Sequence, residues 1–309
     1  MTFVAEDKKK KPASAEVAAR RPKRRTRAKV AKATTEPEPK EKKPAPAQAK
    51  AGEVHVYSLD GDVMKTVELP SVFRSDVRLD LIRRAVTASQ ANRRQPYGSS
   101  PHAGTRHSVR WSGKGQGVSR VPRIRGTMIG AQAPGTVGGR RAHPPRTQAI
   151  WTKKVNENER RLARNAALAA LTDVSFVTSR GHRFKEELTL PVVLENEIET
   201  TSPDGGATRE GVKILNRLGL LGDVERSKEG RHIRAGRGKM RGRRYRQPKS
   251  LLVVVKETAT VRRLFGNLSG VEVVTPAALN AEVLAPGGDP GRLTVFSEGA
   301  LDVLRGWEP

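Results

Sequence analysis

Apolar and polar residues alternate at Val54, Val56 and Leu59, break at Asp60–Gly61, and alternate again from Val63 to Leu69. A period of two on both sides of a tight-turn signal predicts a β-hairpin or two short strands. Val77, Leu81, Ile82, Ala85, Val86 and Ser89 then recur at helical spacing. They predict a helix capped by Ser75 or Asp76 that stops near Pro96. From 95 to 150 no period is sustained. Order resumes at Asn156, followed by Glu157 and Glu159, the polar cap and first-turn acids of a helix start. Leu162, Ala166 and Leu168–Leu171 form its predicted buried side. Pro191–Leu194 reads as a short buried strand. Thr208–Leu221 reads as a helix with Val212, Ile214, Leu215, Leu218 and Leu220 on its apolar side. Leu251–Val255 is apolar at every position, as in a strand covered on both faces. Helix Thr260–Leu268, strand Val271–Val274, helix Pro276–Leu284, strand Leu293–Phe296 and helix Ser297–Leu304 complete the pattern.

Strands alternating with helices predict an α/β fold: an open, mostly parallel sheet covered by helices. Residues 1–52 fall outside the pattern. They are Lys, Arg, Ala, Pro and Glu, with KKKK at 8–11 and RRPKRRTRAK at 20–29. This composition predicts a disordered basic tail that threads onto nucleic acid. The body is expected at 53–309. Two basic segments interrupt it, an extended arm at 95–150 and a second loop at 226–249, whose core is GRHIRAGRGKMRGRRYRQPK at 230–249.

Charge changes the picture most in the aperiodic region. No acidic residue occurs from 81 to 156, yet that stretch carries 15 Lys or Arg. By composition about eight acids would fall there. Core packing asks for no such exclusion, whereas a polyanion along the segment repels carboxylates and attracts cations. The whole chain carries a formal net charge of +27. Anionic membrane is the other partner such charge suits, but the apolar runs fall far short of the roughly 20 residues that span a bilayer, and no secretory signal is visible. The absence of cysteine excludes disulfides, thiolate metal sites and cysteine nucleophiles.

Residues 95–150 hold ten of the 29 glycines and six of the 20 prolines. Doubled back on itself, such an arm reaches at most about 80–90 Å. Ordering its backbone costs on the order of 50–100 kcal/mol. With almost no apolar material to offset that cost, the arm is expected to be ordered only against an external scaffold.

Catalytic chemistry is poorly represented. GKGQG at 113–117 is neither a dinucleotide fingerprint nor a P-loop, and lacks the strand and helix that would aim amides at a phosphate. Glu186, Glu187, Glu195 and Glu197 read as solvent-exposed loop acids, and His182 as a structural hydrogen-bonding residue. No enzyme activity, metal or cofactor is expected. The basic segments carry the chemistry. In the arm, Arg93, Arg94, Arg106, Arg110, Lys114, Arg120, Arg123, Arg125, Arg140, Arg141, His143 and Arg146 are the candidate RNA contacts, with Tyr97 and Trp111 placed to stack on unpaired bases. In the second loop the candidates are Arg231, Arg234, Arg237, Lys239, Arg241, Arg243, Arg244, Tyr245, Arg246 and Lys249. No helix carries a comparably basic face, so a protein embedded in folded RNA fits better than a duplex-DNA reader. An RNA-modifying enzyme and a charge-driven nucleic-acid compactor are the competing readings. The first needs a cofactor pocket at the C-terminal ends of the strands.

Several segments together resemble one family. SQANRRQPYGS at 89–99, GKGQG at 113–117, GGRRAHPP at 138–145, NENER at 156–160, RGH at 180–182, AGRGKMRGRRYRQP at 235–248 and APGGDPGRLTVFSEGAL at 285–301 stand in the order seen in the large-subunit ribosomal protein family usually called L-four. The form resembled is the archaeal and eukaryotic one. The match covers roughly 53–305 and lacks the long C-terminal extension of eukaryotic members, which points to the archaeal type. The resemblance implies an α/β body at the surface of the large subunit in the cytoplasm, bound to large-subunit ribosomal RNA early in assembly. It implies an arm, here Arg93–Arg146, running through RNA to the nascent-peptide exit tunnel, with Trp111–Arg125 nearest the lumen. The implied partners are that RNA, neighbouring large-subunit proteins including the L-twenty-two family protein at the tunnel constriction, and the nascent peptide in passing. Neither membrane contact nor a homo-oligomer is implied.

Overall fold

A computed structural model describes residues 52–201 and 206–308. Apart from Gly52, the predicted tail at 1–52 lies outside the described residues.

The first hairpin forms as its alternation predicts. β1 (Glu53–Tyr57) pairs antiparallel with β2 (Val63–Glu68). Gly61 sits at φ +93°, backbone that glycine adopts without steric cost, in the tight connection. Val54 and Val56 are buried as expected, but so are His55 and Tyr57 on the opposite face. The reason is that this face is also covered: Tyr57 packs in a second core, and His55 bonds Thr66 and Thr189. Helix α1 (Leu79–Asn92), with Arg78 at its N-cap position, starts two to three residues later than predicted. A 3-10 turn at Ser71–Arg74 precedes it, and no side chain caps it.

Within the arm lie two short strands, β3 (Val109–Trp111) and β4 (Pro122–Ile124), paired antiparallel. α2 (Glu157–Ala169) follows, with the Asn156 side chain accepting from the Asn158 amide. The body then runs through α3 (Val174–Ser179), β5 (Val192–Leu194), α4 (Glu197–Thr200), α5 (Ala207–Arg217) and α6 (Leu221–Glu229). The second loop contains β6 (His232–Ile233) and β7 (Tyr245–Arg246), an antiparallel pair. β8 (Leu252–Val254), α7 (Thr258–Phe265), β9 (Glu272–Val274), α8 (Ala281–Leu284), β10 (Thr294–Ser297) and α9 (Glu298–Arg305) complete the fold.

The main sheet has the order β2-β1-β5-β10-β8-β9, and every pairing after β2-β1 is parallel. Successive strand residues point to opposite faces, and they enter two separate cores. Val54, Val56, Val193, Leu252, Val254 and Phe296 pack on one side with buried residues of α1, α2, α8 and α9. Tyr57, Val192, Leu194, Val253, Val273 and Val295 pack on the other with those of α4 to α7. The fold is therefore the open, mostly parallel, helix-covered sheet that the sequence predicts.

Three expectations need correction. Leu162 is half exposed; the buried side of α2 runs through Ala163, Ala166 and Ala167, one residue and so about 100° around the helix. The predicted helix Thr208–Leu221 ends at Arg217. Gly219, at φ +72°, closes α5, and the Leu220 amide reaches back to the Leu215 carbonyl before α6 begins. The predicted helix Pro276–Leu284 is a 3-10 turn at Pro276–Ala278 followed by α8, which Asn280 restarts by accepting from the Val283 amide at 2.9 Å.

Candidate nucleic-acid interface

The arm leaves the body between α1 and α2. The Asn92 side chain accepts from the Lys153 amide at 2.8 Å, and the Arg94 guanidinium lies 3.9 Å from the centroid of Trp151. Those two contacts join the outgoing and returning limbs. Farther out, glycines set the spacing. A Cβ on Gly98 would stand 2.8 Å from the Thr147 nitrogen, and one on Gly104 would stand 2.5 Å from that of Arg140. Gln132, at φ +64°, sends its side-chain amide to the Thr105 carbonyl at 3.0 Å and to that of His107. At the far end the Ile124 amide bonds the Ile129 carbonyl, and the Ala131 amide bonds that of Pro122.

The limbs thus have a defined path, written in backbone hydrogen bonds and close glycine approaches. They do not have a core: from 95 to 150 the single buried hydrophobic residue is Ala131. Trp111, Met128 and Ile129 stand well exposed near the hairpin.

Among the described residues, no Lys or Arg from 94 to 154 is paired with a carboxylate. Arg93, at the base, pairs with Glu282. Arg106, Arg110, Lys114, Arg120, Arg125, Arg140, Arg141 and Arg146 are exposed, as are Tyr97 and His143. Trp111 is exposed on one side while its indole N–H donates to the Arg120 carbonyl at 3.2 Å. Arg123 is turned inward. It donates to the Ser119 hydroxyl at 2.9 Å and to the Met128 carbonyl, bracing the hairpin.

The second loop repeats this arrangement. Its predicted start at 226 falls in the last turn of α6, so the loop itself begins at Gly230. Arg237, Lys239, Arg241, Arg243 and Arg246 are exposed, with no carboxylate partner among the described residues. Arg234 is the inward member, donating its Nε to the Arg243 carbonyl and its amide to the Arg244 carbonyl. Arg231 covers one face of Tyr245, 4.2 Å from the ring centroid, and Arg244 approaches to 5.8 Å.

Two buried polar groups fix the loop's base. Asp223 on α6 accepts from His182, Arg226 and the Arg183 amide through Oδ1, and from Ser250 at 2.6 Å through Oδ2. Burial alone would raise this carboxyl, but the bonds from His182, Arg226 and Ser250 outweigh it and hold Asp223 far below the usual carboxylate range. His182 thus has the structural role expected of it. Arg226 also donates to the Lys249 carbonyl, and Ser227 to that of Pro248. Arg292 is wholly buried. It donates to the Ser250, Leu251 and Val283 carbonyls and to Glu272 at 2.6 Å, while Lys249 also pairs with Glu272. Burial lowers the Arg292 pKa, and the Glu272 carboxylate opposes that shift.

A model of the Ribosomal protein L4/L1 family matches residues 67–307. The chain belongs to the ribosomal protein L4/L1 family. Among its relatives, the large ribosomal subunit protein uL4 of Methanopyrus kandleri is 48% identical over 257 residues, covering 82% of this chain and 97% of the relative. The uL4 of Thermoplasma acidophilum is 46% identical over 253 residues, with coverage of 82% and 97%. That of Halorubrum lacusprofundi is 46% identical over 247 residues, with coverage of 80% and 96%. These relatives place the chain with the archaeal type of the L4/L1 family, whose members are structural proteins and not enzymes.

At the C-terminal ends of β5, β8 and β10, internal hydrogen bonds join the loops of this L4/L1-family body. Glu199 accepts from the Lys256 and Glu257 amides and from the Ser297 hydroxyl, and Asn196 accepts from the Gly299 amide. Among the described residues no helix is long and apolar enough to cross a membrane. The structure also adds cations that sequence reasoning missed. Lys153, Lys154, Arg160 and Arg164 line a cleft of about 1110 Å³ at the arm's base. On helix surfaces and flanks, Lys and Arg are the default solvated residues, so only their position beside the arm distinguishes them.

Proposed function

We propose that the chain is a non-catalytic constituent of the large ribosomal subunit in the cytoplasm, held there by large-subunit ribosomal RNA along the arm and the second loop. The observation that carries this reading is the row of exposed cations from 94 to 154 that no carboxylate among the described residues pairs with, on limbs that have almost no core of their own. Phosphates supply the missing counter-charge and the missing surface at once. The relatives' name, large ribosomal subunit protein uL4, supports the assembly. In this reading the RNA-contact residues are the exposed Arg and Lys of both basic segments with Tyr97, Trp111, His143 and Tyr245, while Arg123 and Arg234 brace the loops that present them. The stretch Trp111–Arg125, with the exposed Met128 and Ile129 just beyond it, is the part of the arm nearest the exit tunnel. There it meets the L-twenty-two family protein, and the nascent peptide passes it.

The test is sedimentation of native particles combined with crosslinking. The protein is expected to travel with large subunits through moderate salt, and arm residues to crosslink to discrete positions of the RNA. Recovery of the protein free of ribosomes would defeat the proposal. Binding that falls by orders of magnitude with salt and does not discriminate among RNAs would favour a charge-driven compactor.

A further inference from the structure

A cleft of about 760 Å³ lies between the stem of the second loop, the start of α1, α3 and the turn at 286–290. Its lining has two kinds of surface. Arg83, Arg180, Arg226, Arg246 and Lys249 bring five formal positive charges to it against one exposed carboxylate, Asp289. Phe176, His232, Pro248 and Pro290 supply flat or apolar surface.

The charges differ in how they are satisfied. Arg83 pairs with Asp289, Arg226 with Asp223 and Lys249 with Glu272. Among the described residues, Arg246 has no carboxylate partner, and Arg180 forms no ion pair. Arg180 is partly buried, and its guanidinium donates to two backbone carbonyls, those of Asp289 and Pro286. A partly desolvated guanidinium with no ion pair of its own, near the Arg292 and Arg226 guanidinium groups and a carboxylate, Asp289, already paired to Arg83, is an electrostatic deficit that an anion removes. Burial, Arg292 and Arg226 lower its pKa, and the Asp289 carboxylate opposes that shift.

From this arrangement we infer that the cleft receives one unpaired nucleotide of an RNA strand, its phosphate facing Arg180 and Arg246 and its base against the ring and proline surfaces. The inference rests on the RNA-binding reading above and adds a specific ligand to it. The volume falls in the range of about 300–1,000 Å³ of small-ligand pockets. A duplex cannot enter such a space, whereas an unstacked nucleotide can. Unpaired bases read by stacking and by arginine are the usual target of sequence-specific RNA recognition. A bare phosphate would leave the flat surfaces unused, and an apolar ligand would leave the charge uncompensated.

A substitution that fills the cleft without changing charge isolates this site. Ser179 is exposed at its rim, and its hydroxyl donates only to the Phe176 carbonyl within its own helix. The full chain and its Ser179→Trp variant would be titrated with large-subunit RNA transcribed in vitro, and the complexes crosslinked by ultraviolet light. The expected result for the wild type is a crosslink from Phe176 or His232 to a single nucleotide in an unpaired position. In Ser179→Trp that crosslink should disappear and affinity fall about tenfold, as for the loss of one stacked base, with the salt slope unchanged. Unaltered affinity and crosslinks in a variant that melts like the wild type would overturn the inference. If Ser179→Trp fails to fold, Arg246→Ala replaces it, and retention of the single-nucleotide crosslink there would overturn it equally. Micromolar binding of AMP alone would make this a free-nucleotide site and would also overturn it. Failure of the wild type to bind the RNA at all would refute the RNA-binding reading itself.

Discussion

Asp223 Oδ1 lies 3.0 Å from His182 Nδ1, joining residues 41 apart in the chain at the foot of the second basic loop. The same carboxylate accepts from Arg226 and Ser250, so one buried group ties α6, the RGH segment and the start of β8 together. A loop rich in like charges pushes itself apart, and its two ends need a strong tether if the charges are to point outward in a fixed pattern.

Removing that tether should be costly. Asp223→Ala leaves buried donors from His182, Arg226 and Ser250 without an acceptor, a change expected to cost about 3–5 kcal/mol in urea denaturation. The pH dependence follows from the depressed carboxyl. Its stabilisation is complete above the unfolded-state value of about 3.9 and is lost as pH falls through the lower folded-state value. The stability difference between wild type and Asp223→Asn should therefore shrink as the solution is acidified below about pH 4. A difference that stayed constant across that range would mean Asp223 is not the titrating tether.

The parallel sheet was legible because its central strands leave no ambiguity: five apolar residues in a row at Leu251–Val255 can only be a segment covered on both sides. The end of α5 was hidden for the opposite reason. Leu218, Leu220 and Leu221 continue the apolar rhythm through Gly219, so periodicity ran across a break that only the glycine's left-handed backbone reveals. The candidate interface was legible as a territory and not residue by residue. Arg123 and Arg234 belong to the same Arg- and Gly-rich text as their neighbours, and no local pattern separates a brace from a contact. Arg292 carries even less signal, because its burial depends on Glu272 and on three carbonyls brought by other segments.

Arg292 supplies a second stability prediction. Its guanidinium donates to four acceptors from a position with no measurable exposure. Lysine keeps the charge but not the planar fork. Arg292→Lys should lose several of these bonds together and cost about 2–4 kcal/mol, read as a lowered denaturation midpoint. A midpoint within error of the wild type would show that the charge alone, not the fork, is what the site uses.

The arm predicts the reverse combination, intact stability with impaired binding. A Cβ at Gly104 would press on the Arg140 nitrogen, and one at Gly139 would collide with the Ala133 carbonyl oxygen. Because no residue of this region belongs to either core of the body, Gly104→Val and Gly139→Val should leave the unfolding free energy of the body within about 0.5 kcal/mol of the wild type. Both should reduce incorporation into large subunits, because the limbs can no longer lie side by side. Normal incorporation of both variants would mean that the limbs need not approach so closely in the particle.

The outward residues of the second loop should behave as phosphate contacts. Arg243 and Arg244 are exposed and pair with no carboxylate among the described residues, and the bonds they receive from Arg234 end on backbone carbonyls, which substitution leaves in place. Reversing both to Glu should leave the fold intact and weaken binding to large-subunit RNA by at least about tenfold at moderate salt. The dependence of log affinity on log salt should flatten by about two, one for each lost contact. Arg234→Ala supplies the contrast: it removes one cation together with the bond that shapes the loop, so its affinity loss should exceed what its change in salt slope accounts for. If all of these variants fell on one line relating affinity loss to salt slope, the division between braces and contacts would be wrong, and the loop would act as a diffuse cloud of charge.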